Sequence, residues 1–262
     1  MSAMKSQFYY LIHVQYLGFR FHGWAKQPDL KTVHHMIDRT IKYVLGKGVP
    51  FKTLGSSRTD AKVSAANTAF ELFTERELPI DEFVQDVNDN LPSDIKILRM
   101  VPVDESFNII QAPREKYYQY LFTYGPKPHP FCAPLMAYFP DELDIESMKA
   151  ATGVFEGLHN FRKYCTKPSE HTVFERDILR SEITENQEYK ANFFPEQSFV
   201  YHIVGKGFMR HQIRLMMGQL VSLGRGELTL EDLRCSLTEP DDIPLKNIAP
   251  ASGLILQSVA FE

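Results

Sequence analysis

The chain has 262 residues, 44% hydrophobic and 24% charged, with a net charge of −4. That length suits one large or two modest domains, and the composition is that of a globular chain, which excludes a disordered or fibrous class. The mild acidity excludes a uniformly basic polyanion binder but allows a local basic surface, and three scattered cysteines, Cys132, Cys165 and Cys235, exclude a disulfide framework.

The opening stretch MSAMKSQFYYLIHVQY has neither a long apolar core nor a small-residue cleavage site, so no signal peptide is expected. No apolar run reaches membrane-spanning length, and a cytoplasmic protein without a membrane partner is expected. FYYLIHVQY reads as a strand that breaks at Gly18 and Gly23. TVHHMIDRTIKYVLG reads as a helix, with Val33, Met36, Ile37, Ile41, Val44 and Leu45 on one stripe, Thr32 to cap its start and Gly46 to end it. A polar loop, GSSRTDAKVSA, leads into the strand VSAANTAFELF. The helix IDEFVQDVNDNLP and the strand DIKILRMVPV follow. Strand, helix, strand, helix, strand in this order resembles a ferredoxin-like unit.

The second half runs similarly. YYQYLFTYG is a strand, PKPHPFCAP a proline-rich loop, DIESMKAATGVF a helix, and FERDILRSEITEN and QSFVYHIVGKG are strands. FMRHQIRLMMGQLVSLG reads as a long helix with Met209, Ile213, Met216, Met217 and Leu220 as its stripe. TLEDLRCSL is a short helix with Thr229 and Asp232 spaced as in a capping box, DDIPLKNIAPASG a loop and LILQSVAFE a last strand. LIHVQYLGFRFHGW and VYHIVGKGFMRHQIR both run strand, glycine, aromatic turn, helix, which points to a duplicated unit. The expected fold is α+β. Two ferredoxin-like halves, residues 1–105 carrying the polar loop and residues 106–262, form one mixed, mainly antiparallel sheet flanked by helices with a central cleft.

Asp60 is the first candidate for chemistry. An aspartate in a loop before a strand is ordinarily a turn or capping residue. Three features favour a reactive role: Arg58 nearby to keep the carboxylate ionised, small neighbours in Ser56, Ser57, Thr59 and Ala61, and a core strand behind the loop as rigid support. An ionised carboxylate so held can act as nucleophile or base. Arg210 and Arg214 are four residues apart and are expected on one helical face with His211 nearby; such a pair is either solvated or reaches a ligand. In REKYYQYLF, Tyr117 and Tyr118 fall on opposite strand faces, fit to pack on a core or to stack on a base. Basic and aromatic residues also interleave in GFRFHGWAKQ and HNFRKYCTK, a pattern that suits a polyanion groove. The histidines show no metal-ligand spacing, and no glycine loop has the spacing that cradles nucleotide phosphates. Cys165, near His159 and His171, leaves a cysteine nucleophile as an alternative.

In order along the chain, YLGFRFHGWAKQ, SSRTDAKVSA, NLPSDI, REKYYQY, GFMRHQIRLMMGQLVSLGRG and APASGLILQSV resemble the tRNA pseudouridine synthase A family over nearly the whole length. The resemblance implies two ferredoxin-like halves around a positively charged cleft, often in a homodimer. It implies isomerisation of uridine to pseudouridine in tRNA, typically in the anticodon arm, with no metal or organic cofactor. The family's catalytic aspartate falls on Asp60, its arginine on Arg58, its active-site tyrosine on Tyr118 and its helix arginine on Arg214. The segment bordering the base falls on Gly253–Leu256, with Leu254 and Leu256 as pocket residues, and Lys26 and Gln27 stand where the family has RNA-contacting residues. Lys62 and Arg210 are expected to add phosphate contacts. The chain departs from the family in having Ser57 and Lys62 for glycines, Ser64 for a histidine, and FNII at Phe107–Ile110 where an arginine is usual. If the glycine replaced by Lys62 needs positive φ, Lys62 must adopt it at some cost. These departures bear on the target position, and they are what a non-catalytic RNA-binding module on the same scaffold would rest on.

Overall fold

The structure, a computed structural model, describes residues 8–238, 243 and 245–261. Residues 1–7, part of the stretch read for a signal peptide, and part of the loop 241–253 lie outside them. Among the described residues no helix is long and apolar enough to cross a membrane. The chain divides into two compact units, the division falling after Arg114 and again between Ile255 and Leu256.

The first unit contains β1 (Phe8–Tyr16), α1 (Val33–Leu45), β2 (Phe51–Gly55), β3 (Ser64–Thr74), α2 (Ile80–Asn90) and β4 (Ile95–Val103), and it takes back the end of β10 (Leu254–Phe261). Its strand order is β4-β1-β3-β10, with β2 also paired to β3. β3 pairs antiparallel with β1 from Phe8↔Thr74 to Tyr16↔Ala65 and with β2 from Phe51↔Thr74 to Gly55↔Phe70. β2 is an element that pattern reading passes over, because five residues ending in glycine show too little alternation. It completes the β-α-β-β-α-β order of a ferredoxin-like unit. α1 forms as its stripe dictates: Val33, Ile37, Ile41 and Leu45 are buried, Thr32 Oγ1 accepts from the His35 amide at 3.4 Å, and Gly46 closes the helix at φ 87°.

The second unit contains most of β5 (Pro113–Tyr124), then β6 (Ala137–Phe139), α3 (Ile145–Ala151), β7 (Gly157–Asn160), β8 (Glu175–Glu185), β9 (Phe199–Gly205), α4 (Gln212–Gly224) and α5 (Leu230–Thr238). Its strand order is β5-β9-β8-β7, antiparallel at β5–β9, β9–β8 and β8–β7, with β6 parallel to β5. The capping box of α5 forms with aspartate in the glutamate's place: Asp232 accepts from the Thr229 amide at 2.8 Å, and Thr229 Oγ1 accepts from the Asp232 amide at 3.1 Å. α4 is buried almost all round.

One expectation fails at the start of α4. His211 stands in the left-handed region at φ 63°, and the helix begins only at Gln212. Met209 and Arg210 therefore precede the helix, and Arg210 does not share a helical face with Arg214. A non-glycine residue in the left-handed conformation interrupts a helix without leaving any mark in its hydrophobic period.

Candidate active site

Asp60 lies in the loop of residues 56–63 between the paired strands β2 and β3. The ladder extends one bond into this loop, from the Ser56 amide to the Ala69 carbonyl at 3.0 Å. Beyond that, the loop is tied to the segment that follows β1. The Trp24 amide donates to the Thr59 carbonyl at 3.1 Å, the Lys62 amide donates to the Phe21 carbonyl at 3.0 Å, and Tyr16 and Thr59 share a buried hydroxyl–hydroxyl bond of 2.7 Å. Trp24, 2% exposed, stacks on His34 at 5.4 Å and lies near Tyr16 and Phe70. Two glycines allow this approach. A Cβ on Gly18 would stand 1.9 Å from the Val63 carbonyl oxygen, and one on Gly23, at φ 89°, would stand 2.6 Å from the Thr59 carbonyl oxygen. Sequence reading takes these glycines as strand breaks. Their second role, admitting the backbone of a loop some forty residues onward, has no local signal.

The Val63 amide closes a turn onto the Asp60 carbonyl at 3.2 Å, and Lys62 within it has φ 69°. Positive φ at this third position is a type II pattern, which glycine ordinarily occupies. Lys62 thus takes the conformation that a glycine would take without strain, and its ammonium lies 5.7 Å from the centre of the Phe19 ring. Thr59 is buried, Asp60 half-buried and Arg58 exposed. The Ser57 hydroxyl, two residues before Thr59, is buried without a hydrogen-bond partner. Of the other first-unit candidates, Lys26 is ion-paired with Asp38, which also accepts from Thr53 Oγ1 at 2.5 Å. Gln27 Nε2 donates to the His22 carbonyl at 3.0 Å. Leu256 is fully enclosed.

The second unit carries Tyr118, Arg210, Arg214 and Leu254. Tyr118, on β5 opposite Ile203 of β9, is 7% exposed and meets Phe208 edge to face at 5.3 Å. Arg214, in the first turn of α4, donates from Nε to the Ala249 carbonyl at 2.8 Å, and the Ala249 amide donates back to the Arg214 carbonyl at 3.0 Å. Tyr120 donates to the Pro250 carbonyl at 2.8 Å, and burial drives its phenol pKa far up, opposed by the Arg214 charge. Asn247 Nδ2 bonds the Gly218 carbonyl at 3.0 Å and Ser222 Oγ at 3.1 Å. The chain from 247 to 250 is thereby fastened to α4 and β5 just before the Gly253–Leu256 segment. Leu254 is 6% exposed. Arg210 is exposed, and its carbonyl accepts from the Thr166 amide at 3.3 Å.

The cysteine alternative gains nothing from the geometry. Cys165 is buried, and burial pushes its thiol up, against the smaller opposing effects of Arg176 and Arg210; a nucleophilic thiol needs the opposite shift. Among the described residues no group of three or more His, Cys, Asp or Glu side chains could hold a metal ion.

A family model described as tRNA pseudouridine synthase matches residues 151–262. Full-length relatives carry the name tRNA pseudouridine synthase A. The protein from Caldicellulosiruptor bescii is 29% identical over 252 residues, covering 96% of this chain and 98% of its own. That from Clostridium kluyveri is 29% identical over 249 residues, covering 95% and 97%. That from Pelobacter propionicus is 30% identical over 248 residues, again covering 95% and 97%.

Proposed function

The chain belongs to the tRNA pseudouridine synthase A family and isomerises uridine to pseudouridine in tRNA; we propose that it does so through Asp60, on uridines of the anticodon arm. The observation that supports Asp60 most is the turn it opens. Lys62 stands where the family has glycine yet keeps positive φ, so the backbone around the carboxylate retains the course a glycine would give it. Hydrogen bonds from Trp24 and Lys62 hold the loop on either side of Asp60. A carboxylate carried on a backbone held in this way has less to reorganise when the reaction begins.

The isomerisation breaks the bond between ribose C1′ and uracil N1, turns the base and forms a bond from C1′ to C5. C5 gives up its proton and N1 gains one, so the overall conversion balances. The base must first leave its stack, at a cost of a few kcal/mol. Tyr118 stacks on it or holds it, Leu254 borders it, and Arg214, Arg210, Lys62, Lys26 and Gln27 receive the RNA, while Leu256, fully enclosed, has no surface to offer the base. Arg58 supports the ionised Asp60. The carboxylate attacks C1′ or C6, or removes the proton at C2′. Each route requires it ionised and aimed at the ribose or the base. The active form in this reading is a cytoplasmic homodimer, in which two acidic chains pool their basic surface into a larger groove than either has alone.

Mapping tests the target. Native chain is incubated with total tRNA from cells lacking the protein, and the pseudouridines formed are located by carbodiimide adducts that stop primer extension. New stops within the anticodon arm are expected; stops only elsewhere contradict the arm assignment. Intact tRNA binding with no new stop favours a binding module on the same scaffold.

A further inference from the structure

The row of residues Lys116, Gly205 and Ile178 runs across β5, β9 and β8 in register. Paired residues of an antiparallel sheet direct their side chains to one face, and residues two apart on a strand share that face. Lys116 therefore lies on the face of Tyr118, about 7 Å along the strand. Gly205 lies directly across from it. A Cβ there would meet the Asp177 carbonyl oxygen and Phe208 Cζ, each at 3.1 Å, and Ile178 Cδ1 at 3.4 Å. Phe208, which also packs edge to face on Tyr118, thus covers the same face beside Lys116.

The position across from Lys116 is thus filled by two apolar groups and one backbone carbonyl, and it places no counter-charge beside the ammonium. Lys116 is half-buried. Among the described residues no carboxylate pairs with it. The nearby acid on β8, Asp177, is engaged by Lys206 at 3.0 Å. Burial alone pulls the ammonium's pKa down, with no opposing carboxylate. A cation desolvated without a counterion is a cost to the fold, which an anion arriving from outside would offset. An ammonium has three donors and no acceptor. A neutral uracil carbonyl would satisfy a donor but leave the charge uncompensated, whereas a phosphate satisfies both.

Resting on the synthase reading above, we propose that Lys116 is a substrate-positioning residue that binds an RNA backbone phosphate beside the nucleotide held at Tyr118.

The test uses the full chain with a tRNA transcript tritiated at uridine C5, and the variants Lys116→Met, Lys116→Gln and Lys116→Arg. Methionine keeps the apolar stem and removes the charge. Loss of a charge-assisted contact is expected to weaken tRNA binding and raise KM at least about tenfold. The slope of log Kd against log salt should fall by about 0.7 for one lost phosphate on a single strand. Arginine should retain the slope. Unchanged Kd, KM and slope in Lys116→Met, with a raised melting temperature, would mean that Lys116 only packs and would overturn the proposal. If the methionine variant does not fold, Lys116→Gln decides by the same readouts. A native chain that binds tRNA but releases no tritium defeats the synthase reading, while the salt slopes still decide Lys116. A native chain that binds no tRNA overturns both.

Discussion

The Asp60 loop and the Arg214 helix are fixed in different ways. Arg214 and Tyr118 sit on regular elements, α4 and β5, whose own ladders hold the backbone. Asp60 sits on a connection between strands, held by hydrogen bonds that reach in from Phe21, Trp24 and Tyr16. Each region nevertheless presses a carbonyl onto a glycine. The Val63 oxygen lies 1.9 Å from where a Cβ of Gly18 would be, and the Asn247 oxygen 1.9 Å from where one of Gly218 would be. The contacts are alike and their consequences differ. A disturbance in the first region should move Asp60, the proposed reactive residue, while the strands stay paired. A disturbance in the second acts on a buried helix and registers as lost stability.

Gly18→Ala is the sharpest way to break this contrast. The carbonyl it meets belongs to the loop backbone, so the loop must shift. A cost of about 3 kcal/mol is expected, with kcat falling further than stability and faster hydrogen exchange at the Trp24 and Lys62 amides. Unchanged exchange at both amides would mean that the glycine does not position the loop. Gly218→Ala should cost less, about 2 kcal/mol, because alanine regains about 1 kcal/mol of helix propensity against the clash. Its effect should appear in urea melts, with kcat of the folded fraction nearly native; a kcat loss as large as that of Gly18→Ala would erase the distinction.

Tyr16→Phe leaves the buried Thr59 hydroxyl without the partner now 2.7 Å away. About 1–2 kcal/mol is expected from an unsatisfied buried group, again with a larger effect on kcat than Asn247→Ala has for a similar loss of stability.

The smallest effect is one of pH. Burial, the leading cause at each, holds His13, His34 and His202 below the ordinary histidine value of 6.5. The unfolded chain then binds more protons than the folded one just below 6.5, so stability falls as the pH drops through that value and levels off once the folded histidines are charged. His202 bonds Tyr117 at 2.7 Å and Thr184 at 2.8 Å. His202→Gln should flatten part of the acid loss in urea melts between pH 7.5 and 5.5; an unaltered slope would show that His202 does not titrate in this range.

Much of this was legible in the sequence, and particular residues show why the rest was not. The α1 stripe with its Thr32 cap, the α5 capping box and the long strands are local patterns, and they form as their spacing dictates. SSRTDAKVSA announces Asp60 through its family pattern and announces the strained turn through a lysine in a glycine's place. The props of that loop are invisible locally, since Gly18 and Val63 meet only in the folded chain. β2, β6 and β7 are too short to show a period. Arg210 was misplaced because nothing in GFMRHQIR betrays the left-handed His211. Lys116 lies within a stretch read for its tyrosines; that no carboxylate among the described residues pairs with it is a fact of three dimensions.

The most direct test of the central claim is tritium release from uridine C5 of tRNA by the native chain and by Asp60→Asn, with tRNA affinity and melting temperature measured on both. Release by the native chain, a loss of at least about 10³-fold in the variant, and unchanged affinity and melting are predicted. An Asp60→Asn variant that releases tritium at a near-native rate would contradict the account.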